Sequence, residues 1–126
     1  MNKWLILMFA TLAMASSAFS AEPKDVDPAA AEKLIKEGKV TVLDVRTKDE
    51  FDEGHIKGAM NVDFKKADFE KQLAGLDKSK SYLVHCQAGG RSTASMKIFE
   101  KLGFQSIFHL NDGFMAWEEA GKPVQK

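Results

Sequence analysis

The sequence predicts a small α/β domain built on a mainly parallel sheet flanked by helices on both faces. Two observations carry that expectation. Three short runs, VTVLDV (Val40 to Val45), SYLVH (Ser81 to His85) and SIFHL (Ser106 to Leu110), are almost wholly apolar and rich in β-branched or aromatic residues. Such runs suit strands buried on both faces rather than strands with one wet side. Between them lie segments with helix caps and helical spacing, and that alternation is the pattern of a parallel sheet crossed by helices. At 126 residues the chain has room for one domain, and it shows neither an internal repeat nor a low-complexity tract.

The elements follow in order. Residues 1–20 read as a secretory signal peptide: Lys3, an uncharged apolar stretch from Trp4 to about Ala15, then small residues. Ala18 and Ser20 occupy the positions a signal peptidase reads, which places the cut before Ala21. The apolar part is short of the roughly 20 residues a membrane span needs. Residues 21–26 read as a linker, 27–121 as the single domain and 122–126 as a tail. Asp27 before Pro28 predicts a helix start, because the carboxylate accepts free amide hydrogens and proline gives up one it would not have used. That helix carries Leu34 and Ile35 inward and stops at Gly38. After the first central strand, Thr47 and Glu50 have the spacing of a capping box for a short helix through Phe51. A brief strand follows around Ala59 to Val62, then an imperfect helical stripe from Phe64 to Leu73 and a turn at LDKSK. Beyond the second central strand, Ser92 to Leu102 predicts a helix with Ala94, Ile98, Phe99 and Leu102 inward. A last short helix after the third strand packs Trp117 on the core.

Charge excludes several functions. Removing residues 1–20 leaves 17 basic against 18 acidic residues, interspersed throughout. With no basic block, neither nucleic acid nor an anionic membrane surface is an expected partner. The chain has a single cysteine, Cys86, so no internal disulfide is available and no structural zinc site is expected. An unpaired thiol in an oxidising compartment is a liability unless it has work to do.

Its neighbours suggest the work. Cys86 stands at the carboxyl end of the second central strand, the edge where α/β sheets meet ligands. Gln87, Ala88, Gly89 and Gly90 give a short loop that can curl and turn its amides inward, and a helix begins at Arg91 or Ser92. A thiol in such a cradle has a lowered pKa. The cradle serves a thiolate, a persulfide, an oxyanion or a phosphate equally well, so the loop by itself says only that a nucleophilic cysteine faces an anion pocket.

Four fragments in order then resemble the rhodanese domain family, in particular its small exported single-domain bacterial members. They are Leu43-Asp44-Val45-Arg46; Glu50-Phe51 with Gly54-His55-Ile56, Gly58-Ala59 and Asn61; Cys86-Gln87-Ala88-Gly89-Gly90-Arg91-Ser92; and Gly103-Phe104 with Gly113 and Trp117. The resemblance runs from about Asp27 to Glu119. One departure is Asp112, where the family often has a first glycine before the final helix; that turn is expected to lie apart from the thiol chemistry. The resemblance implies a rhodanese-like fold and sulfur transfer from thiosulfate or a similar donor to a thiol or cyanide, through a Cys86 persulfide and with no metal or organic cofactor. A monomer is expected, and the signal peptide directs it to the periplasm or outside the cell. Four residues separate Cys86 from Arg91, the loop length that goes with sulfur transfer; phosphate-hydrolysing relatives have five. A non-catalytic anion-binding module and a cysteine-dependent phosphatase or arsenate-type enzyme are the competing readings.

Supporting roles are expected as follows. Arg91 braces the loop or steers an anion. Asp44 ties nearby backbone or Arg91, and Arg46 reaches toward the donor. His85 is a packed or supporting residue, since adjacent strand residues point to opposite faces. His55 is architectural, and His109 has no assigned part.

Overall fold

The computed structural model describes residues 22–126; the expected signal peptide and its cut before Ala21 lie outside the described residues. Ten elements alternate along the chain: β1 (Lys24–Val26), α1 (Pro28–Lys36), β2 (Thr41–Asp44), α2 (Lys48–Glu53), β3 (Met60–Asn61), α3 (Phe69–Ala74), β4 (Ser81–His85), α4 (Gly90–Leu102), β5 (Ser106–Leu110) and α5 (Gly113–Glu119). The strands form one five-stranded sheet in the order β1-β5-β4-β2-β3, and every pairing in it is parallel. None of the described helices is long and apolar enough to cross a membrane.

Local chemistry starts the helices where the sequence predicts. Asp27 accepts a hydrogen bond from the Ala30 amide at 2.8 Å, with Pro28 in the first helical position of α1. The capping box of α2 is closed from both sides: the Thr47 hydroxyl accepts from the Glu50 amide, and Glu50 accepts from the Thr47 amide at 3.1 Å.

The sheet is sandwiched. On one face Leu43, Val45, Tyr82 and Val84 pack against Phe69 and Leu73 of α3 and Phe99 of α4. Phe99 and Tyr82 both meet Phe104 edge-on, at 5.1 and 5.5 Å between ring centres. On the other face Val42, Leu83 and Leu110 pack against Ala31 of α1 and Phe114 and Trp117 of α5. Burial from both sides is why β2 and β4 show no polar alternation.

Four expectations need correction. Residues 21–26 are not simply a linker: Lys24–Val26 is an edge strand, with Asp25 in register opposite His109 of β5. The tail over 122–126 is tied down, since Gln125 exchanges two backbone hydrogen bonds of 2.8 Å with His55 and the Trp117 indole donates to the Pro123 carbonyl. The Phe64–Leu73 stripe yields a helix only from Phe69, after a run of turns. In α4 the deeply buried residues are Ser92, Ser95 and Phe99, while Ala94 is exposed and Ile98 and Leu102 are partly buried. Serines can line a core because their hydroxyls are satisfied locally; Ser95 donates to the Ser92 carbonyl at 2.6 Å.

From β2 the chain turns toward β3, and from β4 it turns the other way toward β5. The strand order therefore reverses between β2 and β4, and the carboxyl ends of those two strands flank the crevice where open α/β sheets bind ligands.

Candidate active site

That crevice gathers the residues expected there. Cys86 follows β4 directly and is 1 % exposed. Gly89 sits at φ +108°, and a Cβ there would overlap the Asn111 carbonyl, so this position requires glycine. The turn brings the Gly89 amide to 3.1 Å from Cys86 Sγ. Gly90 has ordinary backbone and open space around it, so the two glycines are not equivalent. Ser92, in the first turn of α4, places its hydroxyl 3.4 Å from Sγ. Burial pushes the Cys86 thiol up, while the Ser92 hydroxyl and the amides of Ser92, Gly89 and Ala88 pull it down. The net is a thiol below its ordinary value, as the cradle predicts.

The loop's outward carbonyls are also held. The amides of Phe114 and Met115, at the start of α5, donate to the carbonyls of Cys86 and Gln87 at 2.8 and 3.0 Å. Gly113, at φ +79°, allows this approach, because a Cβ would run into the Gln87 carbonyl. The turn around Asp112 is therefore not apart from the thiol chemistry, as the sequence suggested; it is the floor of the loop.

Arg91 braces rather than reaches. Its guanidinium forks onto Glu50, at 2.7 and 3.0 Å, tying the start of α4 to α2. Arg91 first, and the Thr47 capping bonds with it, hold the Glu50 carboxyl at about 2 against the opposing effect of burial. Glu50 was legible as a capping and motif residue, but not as the partner of Arg91, which lies 41 positions away in sequence.

Asp44 and Arg46 form a buried pair. Arg46 has its donors engaged by the protein itself. Its guanidinium donates twice to Asp44 (2.7 and 3.0 Å), to the Gly54 carbonyl (2.7 Å) and to the Gln87 side chain (3.2 Å), and lies 4.2 Å over the Phe114 ring. Of the two ties expected for Asp44, the nearby backbone is present at the Arg46 amide, and Arg91 goes to Glu50 instead. A polar cleft of about 310 Å³ opens beside Gln87, with Arg46 and Phe114 in its wall and Glu50, Glu53 and Glu118 around it. His85 packs on the face opposite Cys86, stacked on Phe114, and its Nδ1 donates to the Cys86 carbonyl at 2.9 Å. Burial lowers its pKa despite Asp44 at 3.7 Å, which favours the neutral ring. His55 stacks on Phe51 at 3.8 Å and anchors the tail, an architectural part as expected.

The family model of the rhodanese-like domain matches residues 27–120, which take in the whole Cys86 loop. The chain belongs to the rhodanese-like domain family. Among its relatives, "Thiosulfate sulfurtransferase 16, chloroplastic" from Arabidopsis thaliana is 33 % identical over 116 residues, covering 84 % of this chain and 96 % of that one. The "Putative sulfurtransferase YtwF" of Bacillus subtilis is 33 % identical over 103 residues, covering 81 % and 97 %. A rhodanese-related crystal structure from Thermoplasma volcanium superposes with a TM-score of 0.72 at 30 % identity, covering 81 % of this chain and 97 % of that one. In this rhodanese-like domain the sequence had singled out the cysteine loop; it gave Glu50 and Gly113 only as motif positions, without their parts at the loop, and His109 no part. His109 carries a signal only in hindsight: a histidine in register with an acid on a strand too short to recognise.

Proposed function

We propose that this chain is a sulfurtransferase that carries sulfane sulfur on Cys86, from thiosulfate or a similar donor to a thiol or cyanide. The observation that supports this best is the Cys86 sulfur inside a loop whose amides converge on it. Cys86 thiolate attacks the outer sulfur of the donor; a new S–S bond forms, the donor's S–S bond breaks, and sulfite leaves with the electron pair. The persulfide anion inherits the hydrogen bonds that held the thiolate. An acceptor nucleophile then takes the outer sulfur and the thiolate returns, so each turnover is closed without a cofactor. The sulfurtransferase names of the relatives support the same reading at the level of the family.

Two observations weigh against phosphatase chemistry. The loop is one residue shorter than in phosphate-hydrolysing relatives, and Arg91, the residue that closes it, is already engaged at both terminal nitrogens by Glu50. Phosphoryl transfer needs donors around three equatorial oxygens. We further propose that residues 1–20 direct export and that the mature chain works in the periplasm or outside the cell.

The test is thiocyanate production from thiosulfate and cyanide by wild type and Cys86→Ser. Intact mass should also rise by about 32 Da, one sulfur on Cys86, after thiosulfate and fall back after cyanide. If wild type turns over no faster than the serine variant, the domain is a binding module. Dominant release of phosphate from an aryl phosphate would instead make it a phosphatase.

A further inference from the structure

His109 has no part in the steps above, yet it is joined to the nucleophile. Its Nε2 lies 2.7 Å from the Ser92 hydroxyl, which is 3.4 Å from Cys86 Sγ. Its Nδ1 lies 3.3 Å from Asp25 Oδ1. The sheet explains the alignment: Asp25 and His109 are in register on neighbouring parallel strands, and the same register carries β5 against β4 just before Cys86. The chain of groups runs from a buried sulfur through a buried ring, 5 % exposed, to a carboxylate 68 % exposed. It emerges in an open cleft of about 490 Å³ with Gly89, Thr93 and Asn111 in its wall.

We propose that Cys86, Ser92, His109 and Asp25 form a proton relay in which His109 accepts the thiol proton through the Ser92 hydroxyl and so sets how much nucleophile is present. The inference rests on the reading of Cys86 as the nucleophile.

The hydrogen-bond inventory allows two arrangements. A carboxylate can only accept, so Asp25 fixes the proton of neutral His109 on Nδ1 and leaves Nε2 a lone pair. Ser92 then donates its single proton to His109, and the thiol donates to Ser92 Oγ. In the second arrangement the S–H bond breaks and its proton passes to Ser92 Oγ as the serine's own proton passes to Nε2. His109 is now an imidazolium that donates to both Asp25 and Ser92, and the Ser92 hydroxyl donates to the thiolate. One proton has moved, no group is oxidised or reduced, and the thiolate has gained a donor that the first arrangement withheld.

Burial works against the imidazolium, with Asp25 opposing it, so His109 takes the proton chiefly when the thiolate across Ser92 balances it. The two titrations therefore belong to the pair. The charged and titratable groups around the ring are few: Asp25 from β1, Cys86 at the end of β4, and His85 on the far side of the sheet. Arg91 acts on the sulfur from the start of α4, with its charge already paired to Glu50.

The test reads the thiol and the ring separately, and uses no sulfur donor, so failure of the relay and failure of the sulfurtransferase reading are distinguishable. The rate of Cys86 alkylation by iodoacetamide is followed against pH by intact mass. His109→Gln and Ser92→Ala should each move the inflection up by about one unit, a roughly tenfold slower alkylation at mildly acidic pH. Asp25→Asn changes an exposed side chain and should shift the profile the same way by less; it stands in should His109→Gln fail to fold. The second readout uses wild-type protein. Imidazole NMR of His109 should show its titration moving to lower pH once Cys86 is blocked with iodoacetamide, because coupling between two sites is reciprocal. A wild-type alkylation profile in the folded His109 and Asp25 variants would overturn the relay. So would a His109 titration indifferent to the state of Cys86.

Discussion

Replacing Gly113 by alanine tests whether the turn before α5 holds the thiol loop. At φ +79° an alanine suffers the left-handed penalty of about 1–2 kcal/mol. Its methyl group also has no room, because the Gln87 carbonyl and the Ala88 amide occupy that space. Relief means moving the loop off α5, which loosens the bonds from Phe114 and Met115 to the carbonyls of Cys86 and Gln87. At about 1 kcal/mol for each, the whole change comes to roughly 3–4 kcal/mol. Gly121 supplies the control, since it has φ +73° and open space around it. Gly121→Ala should cost only the backbone part, about 1–2 kcal/mol. Urea unfolding of both variants isolates the part belonging to the loop as a difference of about 2 kcal/mol, and Cys86 alkylation should slow in Gly113→Ala alone. Equal losses of stability with unchanged thiol reactivity would refute the reasoning.

Three more outcomes follow from the site. Gly89→Ala should slow alkylation of Cys86 and destabilise the domain, because its Cβ meets the Asn111 carbonyl, whereas Gly90→Ala should be neutral or stabilise by about 0.5–1 kcal/mol at the start of α4; paired urea melts decide between them. Glu50→Gln should cost roughly 1–2 kcal/mol at neutral pH. The folded Glu50 carboxyl sits at about 2 against an ordinary 4.5, so its contribution is complete above about pH 4.5 and vanishes as pH falls toward 2; the gap between wild type and variant should close over that window. Arg46→Met should be the most damaging of the set, at about 3–5 kcal/mol, because it strands the Asp44 carboxylate in the interior. Adding Asp44→Asn should recover part of that loss in the same unfolding assay.

The contrast between what the sequence revealed and what it hid has a physical basis. Asp27-Pro28 and the Thr47-Glu50 box act over one helical turn, so their partners are readable in the text itself. The apolar runs of β2, β4 and β5 announce burial on both faces, and the Cys86 loop announces its curl through its glycines. By contrast, β1 is three residues long and has no propensity of its own; it is a strand because β5 offers an edge. Arg46 looked like a free cation because nothing in its neighbourhood states that Asp44, Gly54 and Gln87 will consume its donors. Ala94 was expected inward along α4, where Ser92 is buried instead against His109 of β5. Each of these misreadings concerns a partner supplied by the tertiary fold.

The seat of the cysteine loop on α5 orders events during synthesis. The sulfur is contributed by residue 86, but the amides that hold the loop's carbonyls belong to residues 114 and 115, more than 25 positions further along. A ribosome or a translocation channel releases the chain from its amino end, so the cysteine emerges well before its support. Until α5 arrives the thiol is an ordinary one on an unfinished sheet, with less thiolate at neutral pH and correspondingly less reactivity toward stray electrophiles. Tuning of the thiol thus waits on α5, and a chain cut before α5 would carry its cysteine without the seat of its loop.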